Sequence, residues 1–375
     1  MSKKIINNNY LIRCSNCVMP LSRPRMEFNS KGMCNACLWN LEKKKIDWKK
    51  RKKILDKLLN EAKEKHKNFN VLVPVSGGKD GSYVSHMLKN KFKMKPLTVT
   101  ATPPLQLEVG TLNLRNFVNS GYDLVSIDAN SKTMQKINTA GFVEIGFPYF
   151  GWLVAIHTIV LRIAINFNID LIFYGEDGEV EYGGNPENIK TPLYDQNYMK
   201  KIYLEGGYQK VFSKIKFKEN EDYFFKFPEE AISKKLKVTH WSYFENWDPY
   251  RNYLVAKEFC GLKESKKNNL GTFTNFAQND QALVALHTYL MYLKFGFGRA
   301  TADACIEVRR GAMDRNQAIS LIKLYDGHLP SEFLDLYLEY FKMNKNTFYN
   351  TLFKHSNKSL FEKKGNKIIS KIKLA

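Results

Sequence analysis

The sequence predicts an α/β protein: a doubly wound parallel sheet, preceded by a four-cysteine zinc knot and followed by a helical C-terminal region. Three observations predict this class. Two Cys-x-x-Cys pairs stand near the start of the chain, apolar β-branched runs alternate with helical segments in the middle, and the last third has apolar residues at helical spacing. We therefore expect a zinc-binding knot (residues 1–40), a basic connector helix (41–69), an α/β domain (70–200) and a mainly helical region (201–375) that contributes to the substrate site.

The knot contains Cys14-Ser-Asn-Cys17 and Cys34-Asn-Ala-Cys37, with sixteen residues between the two pairs. This spacing is typical of a zinc site, because each pair forms a tight knuckle that points two sulfurs at one tetrahedral ion. Four thiolates leave no open position, so we expect a structural Zn²⁺. About forty residues bury too little core to fold without such a metal. Unpaired thiols or a redox cluster are the alternatives.

The connector is strongly basic. Twelve Lys or Arg residues stand against five acidic ones in residues 41–67, and the whole chain has 58 basic and 37 acidic residues, a net charge of +21. Such a charge favours polyanions or anionic small molecules as ligands. Locally, the charge run is either a solvated helix face or a nucleic-acid patch. The spacing of Ile54, Leu55, Leu58 and Leu59 favours an amphipathic helix.

Length and composition exclude several protein classes. With 375 residues, of which 44% are hydrophobic and 25% charged, the chain has enough apolar residues for two or three domains and is not a disordered protein. Six cysteines are too few for a disulfide scaffold. The first residues lack the apolar stretch of a signal peptide, and the longest apolar run, 149–167, is interrupted by His157, Arg162 and Asn166. We expect a cytoplasmic protein with no membrane span.

The α/β domain begins with a strand-like run, Val71–Val75, which is followed by a glycine-rich turn and then a helical segment. In this context backbone N–H groups and a helix N-terminus hold phosphate oxygens, and paired glycines permit their close approach. The turn is not a Walker A loop, because Val73 stands where that motif requires glycine. We expect seven residues to bind the nucleotide phosphates: Ser76, Gly77, Gly78, Lys79, Asp80, Gly81 and Ser82.

Three further strands are predicted at Pro96–Thr100, Asp123–Ile127 and Ile169–Tyr174, with helical segments between them. Parallel strands of this kind bind ligands beyond their carboxyl ends. Two strand ends are therefore candidate site segments: Ala101-Thr102, and the loop that begins at Gly175.

The loop after the fourth predicted strand is unusually acidic for this chain. Four acidic residues flanked by four glycines fall within residues 175–184. Such carboxylates suit Mg²⁺, which prefers carboxylate and phosphate oxygens. A solvated acidic turn is the alternative. We expect Glu176 and Asp177 to contact metal or substrate, with Glu176 and Asp80 as Mg²⁺ ligands.

The motif Ser76-Gly-Gly-Lys-Asp-Gly-Ser82 resembles the pyrophosphate loop of the PP-loop ATP pyrophosphatases, whose pattern is S-G-G-x-D-S. The resemblance implies an adenine nucleotide alpha hydrolase-like fold, in which ATP is split between its α and β phosphates and the loop holds pyrophosphate. It also implies that the strand end at Ala101-Thr102 seats adenine. The sequence departs from the pattern at one position, since Gly81 stands at the second serine and Ser82 follows it.

A narrower resemblance covers nearly the whole chain. The cysteine knot, the loop motif, the acidic loop, Gly271-Thr-Phe-Thr-Asn275 and Lys294-Phe-Gly-Phe-Gly-Arg299-Ala-Thr301 occur in the order found in the N-acetyl sugar amidotransferases of the pseudaminic acid biosynthesis type. The resemblance implies conversion of a sugar N-acetyl group to an acetamidino group, for the nonulosonic acids of surface or flagellin glycans. It implies ATP, Mg²⁺ and structural Zn²⁺, and an N-acetylated sugar or nucleotide sugar as substrate.

The implied chemistry has two steps. The amide oxygen attacks the α phosphorus of ATP, which gives an O-adenylyl imidate and pyrophosphate; ammonia then adds to the imidate carbon and AMP leaves. Such a reaction mainly needs positioning and neutralisation of phosphate charge. We expect Lys79 and the loop amides to hold pyrophosphate, and Lys294 and Arg299 to contact a phosphate or a sugar carboxylate. Ordinary surface charges are the alternative for these last two residues.

The sequence offers no glutaminase nucleophile. Ser2 stands where an N-terminal nucleophile would need cysteine, and Cys260 and Cys305 lack the Gly-x-Cys-x-Gly turn that exposes one. Their apolar surroundings are typical of packing residues. We therefore expect ammonia to come from a separate glutaminase chain or from solution.

Two other functions stay open on sequence grounds. RNA-modifying PP-loop enzymes also combine zinc knots with this loop, and a net charge of +21 suits tRNA. Thiolation enzymes, however, generally use cysteines after the loop, and two isolated ones exist here, so we expect no nucleic-acid partner. A zinc-stabilised nucleotide sensor is the third hypothesis, and it leaves the acidic loop and Arg299 unexplained.

Overall fold

The computed structural model describes residues 5–184, 187–194, 196–204, 208–365 and 367–373. The strands are β1 (Ile6–Asn7), β2 (Tyr10–Leu11), β3 (Val71–Pro74), β4 (Pro96–Ala101), β5 (Asp123–Ile127), β6 (Leu171–Tyr174), β7 (Lys237–His240), β8 (Phe361–Lys364) and β9 (Lys367–Ser370). The helices up to β7 are α1 (Asn35–Lys43), α2 (Trp48–Lys65), α3 (Lys79–His86), α4 (Glu108–Asn119), α5 (Ser131–Ile145), α6 (Phe150–Asn166), α7 (Gly178–Glu181), α8 (Gln196–Tyr198), α9 (Gln209–Phe212) and α10 (Glu230–Ser233). After β7 follow α11 (Pro249–Cys260), α12 (Leu283–Phe295), α13 (Arg299–Arg310), α14 (Arg315–Tyr325), α15 (Leu334–Phe341) and α16 (Lys345–His355).

A five-stranded parallel sheet with the order β5-β4-β3-β6-β7 forms the centre of the fold. In register, Val71 of β3 lies opposite Pro96 of β4, and Leu171 of β6 lies opposite Lys237 of β7. The chain runs outward in one direction from β3 to β5 and in the other from β6 to β7. The switch point between β3 and β6 is where open parallel sheets bind their ligands. The predicted doubly wound α/β class is confirmed.

Alternate residues of each central strand face two separate apolar cores. Leu72 and Ile172 pack on the side of α6, whereas Val73 and Phe173 pack on the side of α2 and α3. This alternation follows from the two-residue period of a strand. Because both faces of β3 and β6 are covered, these two strands are almost entirely apolar, and short apolar runs predicted them correctly.

The fifth strand, β7, lies beyond the boundary at residue 200 that the sequence predicts for the α/β domain. It pairs with β6 at four positions, and Val238 and Thr239 are fully buried. The remaining elements after residue 200 are mainly helices. The sheet therefore includes a piece of the predicted helical region, and the division into domains stays a prediction.

The N-terminal knot packs on the C-terminal helices. Its four cysteines share an apolar cluster with Phe297, Ala304 of α13 and Ile322 of α14. Arg315, the first residue of α14, donates a hydrogen bond of 2.9 Å from Nη1 to the carbonyl oxygen of Cys14. The knot is therefore held against α13 and α14. Within the described ranges, no helix combines the length and the apolar character that crossing a membrane requires.

Candidate functional site

A cavity of about 510 Å³ opens at the carboxyl ends of β3 and β6. Its wall includes residues of the knot (Met19 and Arg23), the turn after β3, the acidic loop after β6 and the C-terminal region between Thr274 and Arg309, together with residues of α4 and α6. The volume falls in the range of about 300–1,000 Å³ that is usual for small-molecule sites. The cavity thus lies at the switch point of the sheet and is closed by the knot and the C-terminal region.

The glycine-rich turn after β3 has the geometry of a phosphate-binding loop. Gly77 has a φ of +76°, and a Cβ atom there would lie 2.4 Å from the backbone nitrogen of Leu114. Only glycine therefore lets the turn pass this close to α4. Helix α3 begins directly after the turn, at Lys79, and its first residues line the cavity. The first N–H groups of a helix have no partner within it, so this end of α3 is suited to an anion.

The structure places six of the seven predicted loop residues in the cavity wall, namely Ser76, Gly77, Gly78, Lys79, Asp80 and Gly81. Ser82 is buried outside it, and its hydroxyl has no hydrogen-bond partner in the part of the chain that the structure describes. A Cβ atom at Gly81 would lie 2.8 Å from the carbonyl oxygen of Pro74. The departure from the family's second serine therefore has a steric reason at Gly81, while the role of Ser82 stays a prediction.

Lys79, Asp80 and Glu176 form a charged cluster in the cavity. Lys79 Nζ pairs with Asp80 Oδ2, and Asp80 Oδ1 accepts a hydrogen bond of 3.3 Å from Asn252 Nδ2. Burial lowers the pKa of Lys79, but the charges of Asp80 and Glu176 outweigh it and leave this pKa raised. Burial and then the charge of Asp80 raise the pKa of Glu176 to about 7. The cluster therefore combines a firmly protonated amine with a carboxyl group that titrates near neutrality.

Arg299 joins this cluster from the C-terminal region. It is the first residue of α13, and its Nε atom lies 2.8 Å from Asp303 Oδ1, one turn further along the helix. Burial lowers the pKa of Arg299, but the charge of Asp303 and its hydrogen bond, with smaller effects of Tyr182 and Glu176, leave it raised. Arg299 therefore keeps its positive charge in the same cavity as Lys79.

Asp177, which the sequence also predicts for the site, lies outside the cavity wall. It is buried, and its side chain caps α7 by accepting hydrogen bonds from the backbone nitrogens of Glu179 and Val180. Its own backbone nitrogen donates to Ser242 Oγ at 3.0 Å. Among the described residues of the acidic loop, Glu176 is the one carboxylate that lines the cavity.

The two remaining acidic residues of that loop contact the knot. Glu179 accepts two hydrogen bonds from the guanidinium of Arg25, at 2.8 and 2.7 Å. Glu181 is buried and accepts hydrogen bonds from Trp39 Nε1 at 2.9 Å and from Lys43 Nζ at 2.7 Å. Two of the four acidic residues of the loop therefore attach it to the basic N-terminal segment.

Lys294 also lies outside the cavity wall. Its Nζ atom donates hydrogen bonds to the carbonyl oxygens of Ile145 at 2.7 Å and Gly146 at 2.9 Å, at the C-terminal end of α5. A cation at this end of a helix stabilises the unpaired carbonyl groups. Its predicted contact with phosphate or sugar stays a prediction.

The predicted adenine segment and Gly175 lie next to the cavity rather than in its wall. The carbonyl oxygen of Ala101 accepts a hydrogen bond of 2.9 Å from Trp152 Nε1, and Trp152 does line the cavity. Thr102 Oγ1 lies 3.3 Å from Ser126 Oγ. A Cβ atom at Gly175 would lie 3.1 Å from that of Asp80, so glycine here leaves room for the Asp80 side chain.

Several residues of the wall lie outside the motifs of the sequence: Arg23, Tyr149, Trp152, Asn279, Asp280 and Arg309. They converge from distant segments, so no spacing predicts them. The segment around Asp280 is held by a hydrogen bond of 3.0 Å from Leu107 N to its carbonyl oxygen. A Cβ atom at Gly110 would lie 2.5 Å from the carbonyl oxygen of Asn279. A glycine inside a helical pattern was the one sequence signal of this close approach.

His287 of α12 forms part of the wall beside aromatic rings. Its ring centroid lies 4.5 Å from that of Phe147 and 4.9 Å from that of Tyr149. Its Nδ1 atom is buried, without a hydrogen-bond partner in the described ranges. Burial, with a smaller effect of the charge of Lys294, lowers the pKa of His287 to about 3. The imidazole is therefore neutral at physiological pH.

The four cysteines of the knot form a compact, buried cluster. Their sulfur atoms all lie within 4.8 Å of one another, and Cys14 Sγ lies 3.9 Å from Cys37 Sγ while Cys17 Sγ lies 3.7 Å from Cys34 Sγ. A tetrahedral ion with Zn–S bonds of about 2.3 Å separates its sulfurs by about 3.8 Å. Backbone nitrogens also point at the sulfurs, as from Cys34 N to Cys14 Sγ at 3.2 Å. The residues fit a structural metal ion.

Asp80 and Glu176 are the residues that could hold Mg²⁺. Both line the cavity next to the phosphate loop, and the charge of Asp80 contributes to the raised pKa of Glu176. Mg²⁺ in nucleotide sites is usually bound by one or two carboxylates together with phosphate oxygens. A cation between the two carboxylates would relieve their repulsion, so the donor set fits this ion.

Comparison with known protein families gives a match to one segment of the chain. Residues 270–373 match a family model described as "LPS biosynthesis protein WbpG-like, C-terminal domain". No curated protein matches the chain. Among solved structures, the chain is similar to the U34-tRNA thiolase NcsA from Methanococcus maripaludis with its 4Fe-4S cluster, at 14% identity and a TM-score of 0.27, over 85% of this chain and 90% of that one. The family match covers the C-terminal part of the cavity wall.

Proposed function

We propose that this chain is an ATP-dependent amidotransferase that converts the N-acetyl group of a sugar into an acetamidino group during surface glycan biosynthesis. One observation carries the proposal. The phosphate loop, residues 76–81, and the segment that matches the WbpG-like model line the same cavity. A nucleotide at the loop would stand next to the molecule that the C-terminal segment binds, as a reaction between ATP and a sugar requires.

The proposed reaction activates the amide before nitrogen is exchanged. The amide oxygen attacks the α phosphorus of ATP, the bond from that phosphorus to the oxygen between the α and β phosphates breaks, and pyrophosphate leaves with that oxygen. Ammonia adds to the carbon of the O-adenylyl imidate, the C–O bond to AMP breaks, and the surplus protons pass to solvent. Positioning and charge neutralisation are the tasks that such a reaction leaves to the protein.

The charged cluster in the cavity suits these tasks. In the proposal, the N-terminus of α3 and the Lys79 ammonium hold the leaving pyrophosphate, and Arg299 adds a second positive charge. Mg²⁺ bound by Asp80 and Glu176 would supply further neutralisation of the phosphate oxygens. Because Lys79 Nζ pairs with Asp80, binding of ATP would exchange the carboxylate partner of this ammonium for phosphate oxygens and would leave Asp80 able to bind Mg²⁺.

We further propose that the ion in the four-cysteine cluster is Zn²⁺ and that its role is structural. All four ligand positions of a tetrahedral ion are filled by Cys14, Cys17, Cys34 and Cys37, so no position is left for substrate. The knot supplies Met19 and Arg23 to the cavity wall. Its metal would therefore shape the site by folding the knot.

The function is tested by incubating the protein with ATP, Mg²⁺, ammonium ions and candidate N-acetylated sugars or nucleotide sugars. We expect release of AMP and pyrophosphate, and a sugar product whose mass reflects the exchange of an oxygen atom for an NH group. Lys79→Ala should abolish pyrophosphate release. Lys52→Ala, which removes an exposed charge paired with Asp56, is the matched control and should retain it.

Two outcomes would contradict the proposal. Formation of ADP and phosphate would exclude attack at the α phosphorus. Pyrophosphate release that depends on tRNA and not on any sugar would identify the chain as an RNA-modifying enzyme instead.

A further inference from the structure

Two arginines line the cavity and have no carboxylate partner among the residues that the structure describes. Arg23 lies in the knot, between the two cysteine pairs, and Arg309 lies in the last turn of α13. Within the described ranges, neither guanidinium takes part in an ion pair. The Nη1 atom of Arg309 is buried with no hydrogen-bond partner there. Buried donors of this kind are rare in folded proteins, because each costs free energy until a partner satisfies it.

The two side chains act on each other. Burial lowers the pKa of Arg23, the charge of Glu179 opposes this effect, and the charges of Arg25 and, less strongly, Arg309 lower the pKa further. Glu179 is already occupied, since both of its carboxylate oxygens accept hydrogen bonds from Arg25. Two like charges in a partly buried wall are unfavourable unless an anion joins them.

The position of Arg309 separates it from the charged cluster at the phosphate loop. Arg299, at the first turn of α13, lies with Lys79 and Glu176, whereas Arg309 stands ten residues later in the same helix. At 1.5 Å per residue the two arginines are about 15 Å apart along the helix axis. The cavity therefore has a positive group at each end of this helix, with space for a sugar between them.

We infer that Arg23 and Arg309 form an anion subsite that binds a carboxylate or phosphate group of the sugar substrate. The inference rests on the proposed function and assigns the recognition of the anionic group of that sugar to these two residues. Guanidinium groups suit both anions, because their planar N–H groups match carboxylate and phosphate oxygens. A neutral sugar would leave both side chains without a partner.

The competing explanation is that these arginines only balance the charge of the cysteine cluster. Burial lowers the pKa of Arg309, while the thiols of the cluster and of Cys305 raise it. Four thiolates around one divalent ion keep a net negative charge. If charge balance were the only role, loss of either arginine would weaken metal retention and leave sugar binding unchanged.

The experiment measures equilibrium binding by calorimetry to the metal-loaded protein, in the presence of a non-hydrolysable ATP analogue. The probes are N-acetylneuraminic acid for the carboxylate, UDP-N-acetylglucosamine for the phosphate, and neutral N-acetylglucosamine for reference. The variants are Arg23→Met and Arg309→Met. Their controls are Arg25→Met and Arg310→Met, which remove neighbouring arginines that are already paired with carboxylates. Arg309→Lys keeps the charge, and metal content and thermal unfolding are measured for every variant.

We expect one charged probe to bind the wild-type protein more tightly than the neutral sugar does. The identity of that probe shows whether the subsite takes a carboxylate or a phosphate group. Both methionine variants should weaken binding of that probe at least about tenfold, with affinity for the ATP analogue and metal content unchanged. Arg309→Lys should retain part of the affinity for the charged probe that Arg309→Met loses. The subsite would be overturned by equal binding of the charged and neutral probes, or by methionine variants that bind the charged probe as tightly as the wild-type protein does. A loss confined to affinity for the ATP analogue or to metal content would overturn it as well. Failure of the proposed function would be a different result, in which the sugar binds but does not stimulate pyrophosphate release.

Discussion

Lys43 Nζ lies 2.7 Å from Glu181 Oε2, and both side chains are buried. Lys43 ends the helix α1 that carries Cys37 of the knot, and Glu181 belongs to the loop after β6. Trp39 Nε1 donates to the other carboxylate oxygen of Glu181 at 2.9 Å. Because Glu176 of the same loop lines the cavity, this contact links the metal knot to the charged cluster of the site.

Glu181→Gln should destabilise the protein strongly. The change leaves the ammonium of Lys43 buried without a counter-charge, and breaking a buried pair in this way costs about 3–5 kcal/mol of unfolding free energy. Urea unfolding followed by tryptophan fluorescence measures the loss. Glu42→Gln removes the carboxylate of an exposed pair with Lys45 and should leave the unfolding free energy nearly unchanged. Equal stability of the two variants would show that the contact is energetically unimportant.

Cys34→Ser should remove both the metal and the fold of the knot. The serine hydroxyl is a poor zinc ligand, and a three-thiolate site cannot retain the ion against a chelator. Metal analysis after dialysis and a thermal melt report the two effects. Cys260→Ser, at a thiol outside the cluster, is the control and should keep its metal. Retention of both zinc and thermal stability by Cys34→Ser would contradict a structural zinc site.

Gly77→Ala should abolish ATP binding and destabilise the chain more than an alanine at a comparable backbone conformation does. Its Cβ atom would meet the backbone nitrogen of Leu114 at 2.4 Å. Gly311 has a similar φ of +79° but open space around it, so Gly311→Ala isolates the backbone cost of about 1–2 kcal/mol. ATP affinity and urea unfolding are compared for the two variants. Normal ATP affinity of Gly77→Ala would exclude the turn as the phosphate site.

The fold was predictable where sequence signals were local. The strands β3, β4 and β5 fall on the predicted runs, because each contains a short apolar or β-branched stretch that the local sequence shows. The strand β7 was missed because Lys237-Val-Thr-His240 is short, lacks a long apolar run and comes some sixty residues after β6 in the chain. Its assignment depends on pairing with β6, which the local sequence does not encode.

The site was predictable only in the part that one segment builds. The loop 76–81 follows from its own glycines, whereas Arg23 and Arg309 come together from opposite ends of the chain. Composition could also mislead, because the acidic loop pattern is typical of a metal site, yet Glu179 and Glu181 bind basic residues of the N-terminal segment. Only tertiary contacts distinguish these two uses of a carboxylate.

His287 should make the protein sensitive to acid. Its pKa is about 3 in the folded chain and about 6.5 when unfolded, so below pH 6.5 the unfolded state binds a proton that the folded state does not. The stability from this group is complete above that pH and falls by about 1.4 kcal/mol per pH unit below it. His287→Phe should reduce the loss of unfolding free energy between pH 6.5 and 4.5. Part of the loss should persist in the variant, because His157 and His240 also have lowered pKa values, of about 4 and 3. Parallel stability curves for variant and wild type would refute the assignment.

The isolated chain should use ammonium ions and not glutamine as its nitrogen source. A glutaminase thiol must be accessible and ionised. Cys260 is buried, and burial raises its pKa to about 11, while Cys305 is fully buried beside the four cysteines of the knot. Turnover with ammonium should rise as the pH increases above neutrality, because a larger fraction of the ammonium is then present as unprotonated ammonia. Adding a partner glutaminase should allow the chain to use glutamine, because the partner would deliver ammonia locally. The double variant Cys260→Ser/Cys305→Ser is the control and should keep ammonium-dependent turnover. Robust turnover of the wild-type chain with glutamine alone would contradict the prediction and would show that one of these buried thiols is exposed during the reaction.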